Sequence, residues 1–386
     1  MTYPILEPGS ILGVLGGGQL GAMFSRAARR MGYPVAVWDP DRDAPAHHSA
    51  DHSFVAPFSD QETREQFVKT IHAATFEWEN VPAELCEWIG QSHRVRPSGA
   101  VLRTIQDRIE QKEFLRHNRL PVSPFASGDT PHQLTEAVKA VGLPAVCKTA
   151  RSGYDGKGQW VIRRPSDIED VIQQLQAGAG SSSRWILEQF VEFERELSVL
   201  VIRGEDGECR MFPVVQNIHQ SGILRMTQAP APIPSILAKK AVDLAGQAIA
   251  ALKGVGVFCI EMFQVSDELF INEIAPRPHN SGHYTLDACT VSQFEQQVRV
   301  LCGLPLGEVR LLSPAAMVNL IGEEVRFVTS GQGCRDLAAI PGALLHLYGK
   351  RLVRPGRKMG HVTFLAERGE ETVARAQWLM QHIAAG

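Results

Sequence analysis

The sequence predicts an α/β N-terminal domain on a parallel sheet, a larger α+β body built on antiparallel strands, and a small β-rich C-terminal domain. Three observations carry that reading. The first forty residues run strand, glycine turn, helix, strand; two apolar strand-length runs flank a second glycine-rich loop; and a strand pair meeting near residue 266 carries acidic positions on both arms. The 386-residue chain exceeds what one compact core accommodates, so domains that share interfaces, with a cleft between them, are expected.

Hydrophobic residues make up 44% and charged residues 21%, ordinary globular usage that excludes disordered and fibrous classes. A formal charge of −3 lacks the basic excess a nucleic-acid polymer requires, so no nucleic-acid partner is expected, while a small phosphorylated ligand stays open. The N-terminus has no positively charged leader, and no apolar run approaches the ~20 residues that span a bilayer, so cytoplasmic residence is expected. The seven cysteines form no CxxC pair and read as reduced thiols. His47, His48 and His52 cluster in a turn-rich stretch that reads as a solvated loop in preference to a metal site.

ILGVLG, GGQLGAMFSRAARRMG and PVAVWDPD form a parallel βαβ unit, with Gly32 and Pro34 ending the helix. HSFVAPF, DQETREQFVKTIH and AATFEWEN continue it as strand, helix and strand. VLRTIQDRIEQKEFLRHN has helical periodicity, and the prolines of RLPVSPF mark the exit from the domain. LPAVCKTA and GQWVIRR are antiparallel strands, PSDIEDVIQQLQ is a helix, and WILEQFVEFERELSVLVIR contains two strands around a bend. LAKKAVDLAGQAIAALKG is a helix that packs on a hairpin of VGVFCIEMFQV and ELFINEIA. The domain limits expected are 1–111, 112–305, with a lid at about 121–205, and 306–386.

Gly16-Gly17-Gly18-Gln19-Leu20-Gly21 follows a strand, opens a helix and is succeeded by Asp39, the pattern of a dinucleotide fingerprint. Glycines admit close backbone approach and helix N-terminal amides attract an anion, so any phosphate-bearing ligand satisfies it, and a ligand-free tight turn remains the plain alternative. The second loop, Ser152 to Gln159, lacks the Walker spacing. With Lys148 ending the preceding strand, it suits a flap over nucleotide phosphates, or else a plain mobile hairpin loop. If the later hairpin turns on three residues, Ser266-Asp267-Glu268, then Glu261 faces Glu273. Like charges opposed on a sheet imply a cation, and hard oxygen ligands suit Mg²⁺, unless the register slips by one residue. Downstream, Asn272-Glu273-Ile274-Ala275-Pro276-Arg277-Pro278-His279-Asn280 is stiffened by prolines, and Arg277 offers a planar fork to bicarbonate or a phosphoryl group. Lys350, Arg354, Arg357 and Lys358 form a basic segment that reads as a solvated hairpin or as a clamp on phosphate.

GGGQLG, FEWENVP, GYDGKGQ, EQFV, NEIAPRPHNSGH and YGK with RPGRKMGH stand in the order found in N5-carboxyaminoimidazole ribonucleotide synthases, and the chain resembles that family over essentially its whole length. GYDGKGQ together with APRPHNSGH is the specific part; it separates this family from biotin carboxylases and D-alanine ligases. The resemblance implies an ATP-grasp fold with a Rossmann-like pre-ATP-grasp domain, and carboxylation of aminoimidazole ribonucleotide by ATP and bicarbonate through carboxyphosphate. It implies ATP on Arg108, Lys148, Gly153, Tyr154, Asp155, Gly156, Lys157, Gly158, Gln159, Glu188, Gln189, Phe190, Val191, Glu196, His219, Asn272 and Glu273, with adenine at Glu188 and Val191. Magnesium is implied on Glu261 and Glu273, and the ribonucleotide at Gly18, Gln19, Leu20, Glu77, Tyr154, Lys350 and Arg357. Arg277, His279, Asn280, Asp155 and Lys350 are the implied catalytic group, and the assembly a homodimer. Two positions depart from the family: Ala22, where many relatives have arginine, and Ser152, where glycine is common. Another small-metabolite ATP-grasp ligase, or a nicotinamide-dependent oxidoreductase using the first βαβ unit, are the alternatives.

Overall fold

The computed structural model describes residues 4–151, 153, 158–177 and 184–384. Strands β1 (Leu12–Leu15), β2 (Val35–Trp38), β3 (His52–Phe54), β4 (Ala73–Phe76) and β5 (Arg94–Val95) form a parallel sheet in the order β3-β2-β1-β4-β5. The central strands are buried along their length because both faces are covered, and all but Thr75 of their residues are apolar. One face is covered by α2 (Gln61–Thr70), α3 (Ala83–Ile89) and α4 (Gly99–Ile105) through Phe67, Ile89 and Leu102; α1 (Gln19–Arg30) lies on the other. The helical run after residue 100 is broken into α4 and α5 (Arg108–His117). The buried Asp107 carboxylate causes the break, accepting from the amides of Ile109 and Glu110 as the cap of α5.

The lid is an antiparallel sheet, β6-β9-β7-β8, made of β6 (Phe125–Gly128), β7 (Ala145–Thr149), β8 (Gln159–Ile162) and β9 (Trp185–Gln189), backed by α6 (Leu134–Val141) and α7 (Ile168–Ala177). The body is a nine-stranded antiparallel sheet. It holds β10 (Arg195–Arg203), β11 (Cys209–Met211), β12 (Val215–Gln220), β13 (Ile223–Ala229), β14 (Gly256–Val265) and β15 (Glu268–Ala275), with α8 (Ser235–Leu252) on one face. The two strands expected around a bend at 190 thus belong to different sheets, β9 to the lid and β10 to the body.

After α9 (Thr285–Ala288) and α10 (Gln293–Cys302), the chain returns with β16 (Ala315–Ile321), α11 (Val325–Thr329), α12 (Gly331–Ala338), β17 (Ala343–Leu347), β18 (Lys358–Leu365) and α13 (Gly369–Ala384). This last segment carries three helices beside its strands. It builds no sheet of its own: β16 pairs with β13, extending the body sheet through β18 to β17. No helix among the described residues is long and apolar enough to cross a membrane.

Helix α10 locks the body to the N-terminal domain. Its Phe294, Val298 and Leu301 share a core with Leu12, Val14 and Phe24, and Gln297 Nε2 donates to Thr75 Oγ1 at 2.8 Å. Arg94, 2% exposed, adds donors to the carbonyls of Leu301 and Pro4, both at 2.8 Å. Arg94→Ala leaves the buried Leu301 carbonyl and the part-buried Pro4 carbonyl without these donors, and a loss of about 2 kcal/mol, read from the denaturation midpoint, is expected.

Candidate active site

The site lies where the hairpin β14–β15, α5, the lid and the last segment meet. The hairpin turns on two residues, Ser266 and Asp267, not three, with Val265 opposite Glu268. A bulge at Asn272 supplies the missing residue, so Glu261 still faces Glu273. The expected pairing holds for a different reason.

Both carboxylates are partly withdrawn from water, Glu261 more than Glu273. Burial, and then the charge of Glu273, push the Glu261 carboxyl up to about 7. Burial would raise Glu273 as well, but Arg108 outweighs it, with Lys148 and Arg277 adding, and holds Glu273 low, at about 2. Arg108 Nη1 donates to Glu273 Oε2 at 2.7 Å and Nη2 to the Gly153 carbonyl at 3.3 Å. Burial opposes the charge of Glu188 too, yet Lys112 and Lys148 keep it ionised at 3.4 and 3.1 Å. Its side chain is therefore held by lysines. Lys112 was not among the residues singled out from sequence; it stands four residues after Arg108 on the same face of α5, and that spacing was the available signal. Gln189 and Phe190 are tied through their amides to the Pro124 and Pro144 carbonyls, which fixes the strand leading to Val191.

Glu196 pairs with His219 across β10 and β12, and this contact raises the imidazole's affinity for a proton against the effect of burial. Arg277 Nη2 meets Glu79 Oε1 at 2.8 Å, and its Nη1 donates to the Pro278 carbonyl. Glu79 was also missed, although it stands two residues after Glu77 in FEWENV. His279 Nε2 lies 3.4 Å from Glu261 Oε1; burial, then Arg277, hold this imidazole neutral. Asn280 and Asn319 of β16 exchange side-chain hydrogen bonds at 3.0 and 2.7 Å, so the last segment contributes directly to this site.

The glycine turn corrects the expectation of a phosphate cradle. The Gly17 amide donates to Asp39 Oδ2 at 2.6 Å, the Gly18 amide to Glu77 Oε1, and the Gly21 amide to Glu77 Oε2 at 2.7 Å. The anions at the α1 N-terminus are the protein's own carboxylates, and a phosphate there would meet both. Gln19 beside it accepts from Lys350 Nζ, which also donates to the Lys358 carbonyl at 2.6 Å. Arg357 Nη1 donates to the Leu352 carbonyl. Leu20 lies on α1 next to this contact, and Ala22 is buried against the sheet. Ser152, Tyr154, Asp155, Gly156 and Lys157 lie outside the described residues, while Gln159 begins β8 and Gly158 precedes it in a turn, its carbonyl accepting from the Thr149 amide.

Among the described residues two groups combine His, Cys or carboxylate atoms at metal-ligand spacing: Cys259, Glu261 and His279, and Asp287, His346 and His361. Neither includes His47, His48 or His52. In the second group the His346 and His361 rings stack at 4.5 Å and 10°, and lone pairs in parallel planes do not meet at one ion. Magnesium is tested instead at Glu261 and Glu273. Two facing, partly exposed carboxylates give hard oxygen donors that fit such a cation, and the Oδ1 of Asn272, next to Glu273 in the chain, is buried with no hydrogen-bond partner among the described residues.

Models of the ATP-grasp domain match residues 113–294, of the ribonucleotide synthetase preATP-grasp domain 10–106, and of the phosphoribosylaminoimidazole carboxylase C-terminal domain 315–375. The chain is 42% identical over 375 residues to the N5-carboxyaminoimidazole ribonucleotide synthase of Bacillus subtilis (strain 168), covering 97% of this chain and 96% of that one. With the enzyme of that name from Brucella melitensis the identity is 39%, over 95% of this chain and 99% of the relative. A solved ADP complex of N5-carboxyaminoimidazole ribonucleotide synthetase superposes with a TM-score of 0.93 at 39% identity, covering 100% and 99% of the two chains. An Aspergillus clavatus N5-carboxyaminoimidazole synthase solved with ADP and 5-aminoimidazole ribonucleotide gives 0.88 at 32%, covering 98% and 100%. With the ATP-grasp architecture in place around the facing glutamates, these likenesses establish that the chain belongs to the N5-carboxyaminoimidazole ribonucleotide synthase family of ATP-grasp ligases.

Proposed function

We propose that this chain carboxylates the exocyclic amine of 5-aminoimidazole ribonucleotide, consuming ATP and bicarbonate and releasing ADP and phosphate, in de novo purine synthesis. The observation that carries the reading is the facing Glu261–Glu273 pair ringed by Arg108, Lys148 and Arg277. Bicarbonate is a poor electrophile, so its oxygen must first attack the γ-phosphate of ATP to give carboxyphosphate. Lys148 and Arg108 are placed to neutralise charge on the transferring phosphoryl group, and Arg277, His279 and Asn280 to orient bicarbonate. Glu261, Glu273 and Asn272 would hold Mg²⁺, which when bound supplies charge neutralisation between the phosphates. The loop at 152–158 is proposed to exclude water from the mixed anhydride, with Tyr154 and Asp155 over the substrate.

On the acceptor side, Gln19 and Glu77 are assigned to the ribose, and the phosphate is placed at Lys350 and Arg357 because the α1 amides are already taken. The proposed domain limits remain 1–111, 112–305 and 306–386, supported by the sheet at the N-terminus and by the models matched. Cytoplasmic residence and a homodimer are proposed from the family resemblance.

ADP release is expected to depend on Mg²⁺ and bicarbonate and to rise with 5-aminoimidazole ribonucleotide. Stimulation by D-alanine or biotin instead would overturn the acceptor, and a change in NADH fluorescence on mixing would revive the oxidoreductase alternative. Lys350→Ala is expected to raise KM for the ribonucleotide on the order of tenfold with KM for ATP unchanged. An unchanged ribonucleotide KM would remove Lys350 from the substrate site.

A further inference from the structure

The proline-stiffened segment after β15 ends in a buried polar chain that reaches four strands away and has no counterpart in the roles given above. Thr227 Oγ1 of β13 donates to Asn217 Oδ1, and Asn217 Nδ2 of β12 donates to Ser198 Oγ of β10, both at 2.9 Å. Ser198 Oγ meets Ser281 Oγ at 2.9 Å, and Ser281 Oγ meets His279 Nδ1 at 2.9 Å. Thr227, Asn217, Ser198 and Ser281 are all at most 4% exposed. Four polar side chains placed this deep are costly unless each donor finds an acceptor, and here each does.

Hydroxyls and amides can be read in either direction, so the chain needs an anchor of fixed polarity. The Ser281 backbone amide provides it. That amide can only donate, and it points at His279 Nδ1 at 3.3 Å, making His279 the cap of the turn Asn280–Gly282. Nδ1 must therefore carry a lone pair. Ser281 Oγ then spends its one proton on Nδ1 and accepts from Ser198, which spends its proton on Ser281 and accepts from the Asn217 amide. Asn217 is left presenting Oδ1 to the Thr227 hydroxyl. No donor meets a donor along the run. The backbone of His279 is held as firmly: its N–H donates to Gln293 Oε1 and its carbonyl accepts from Gln293 Nε2, both at 2.8 Å.

We propose that Ser281, Ser198 and Asn217 are positioning residues that fix His279 as the Nε2–H tautomer, a hydrogen-bond donor to the oxygen-rich group that reacts beside Glu261. The ring's free nitrogen faces Glu261 Oε1 at 3.4 Å. With its proton on Nε2, His279 has no lone pair there to ligate a metal or to accept the proton lost from an amine. Its contribution is donation to an oxygen of bicarbonate or carboxyphosphate, whose charge grows as the phosphoryl group arrives. This deepens the bicarbonate role proposed for His279 and rests on it, whereas the tautomer itself does not.

The two are separated by measuring the tautomer directly. In the full-length protein labelled with ¹⁵N-histidine, with the His279 signal assigned by its absence in His279→Gln, Nδ1 is expected to resonate as an unprotonated ring nitrogen and Nε2 as a protonated one. The reverse pattern overturns the proposal whatever the enzyme's substrate. Ser281→Ala is expected to mix the tautomers and to lower kcat/KM for bicarbonate about tenfold while KM for ATP stays put, with Ser281→Thr restoring both. If Ser281→Ala does not fold, Ser198→Ala tests the same link one residue further back. Wild-type tautomer and wild-type bicarbonate kinetics in the folded variant refute the positioning role. An altered tautomer with unaltered bicarbonate kinetics supports the positioning and refutes the donor role of His279.

Discussion

Glu273→Ala is expected to lower ATP turnover on the order of a thousandfold while the protein stays folded. The asymmetry of the facing pair drives this. Glu273 is the member that remains ionised, because Arg108 sits 2.7 Å from its Oε2, while Glu261 is the member whose proton affinity rises. Removing Glu273 takes away the firm half of an all-oxygen cation site and leaves the Arg108 guanidinium, a quarter exposed, to turn toward water. It also removes the like charge opposite Glu261, so the sheet loses a repulsion together with an ion pair, and the change in unfolding free energy should stay within about 2 kcal/mol. Mg²⁺-dependent ADP release and the denaturation midpoint measure the two halves of this expectation. Turnover within tenfold of wild type would remove the metal role. A collapse of the midpoint would show Glu273 to be structural instead.

The same hairpin shows what the sequence could and could not disclose. The short runs VGVFCIEMFQV and ELFINEIA, rich in apolar, β-branched and aromatic residues and divided by the turn residues Ser266 and Asp267, read as two strands of a hairpin and put Glu261 and Glu273 near one another. They do not specify the turn: a two-residue loop with a bulge at Asn272 and a three-residue loop without one give the same pairing at that point. The parallel N-terminal sheet was legible because its first two strands are short apolar runs on either side of a glycine turn and a helix. That β9 and β10 part into different sheets was not, since strand content is local whereas sheet membership depends on partners far along the chain. The glycine turn was legible as an anion site, but its anions, Asp39 and Glu77, lie 22 and 59 residues away and belong to the protein. Lys112 and Asn319 escaped notice because neither stands in a motif, and Glu79 because FEWENVP was read only for Glu77; each matters through a partner, Glu188, Asn280 or Arg277, that only the fold brings near.

Arg277→Lys is expected to lower kcat/KM for bicarbonate about a hundredfold, with KM for ATP unchanged, although the charge is kept. The guanidinium is divided among three directions. Nη2 is held by Glu79 at 2.8 Å, Nη1 by the Pro278 carbonyl at 3.0 Å, and Nε is buried with no hydrogen-bond partner among the described residues. A buried donor without an acceptor is costly, and a planar oxyanion in the pocket supplies one. Lysine can keep the pairing with Glu79 or reach toward the oxyanion, but its single ammonium cannot do both from a fixed plane. Glu79→Gln leaves the fork intact and loosens only its anchor, so a smaller loss, about tenfold, should follow with the same selectivity for bicarbonate. The ratio of the two effects is the informative quantity. A Glu79→Gln loss equal to that of Arg277→Lys would mean that the ion pair itself, and not the orientation of the fork, is what bicarbonate requires. Equal losses in KM for ATP and for bicarbonate would instead place Arg277 on the phosphoryl group.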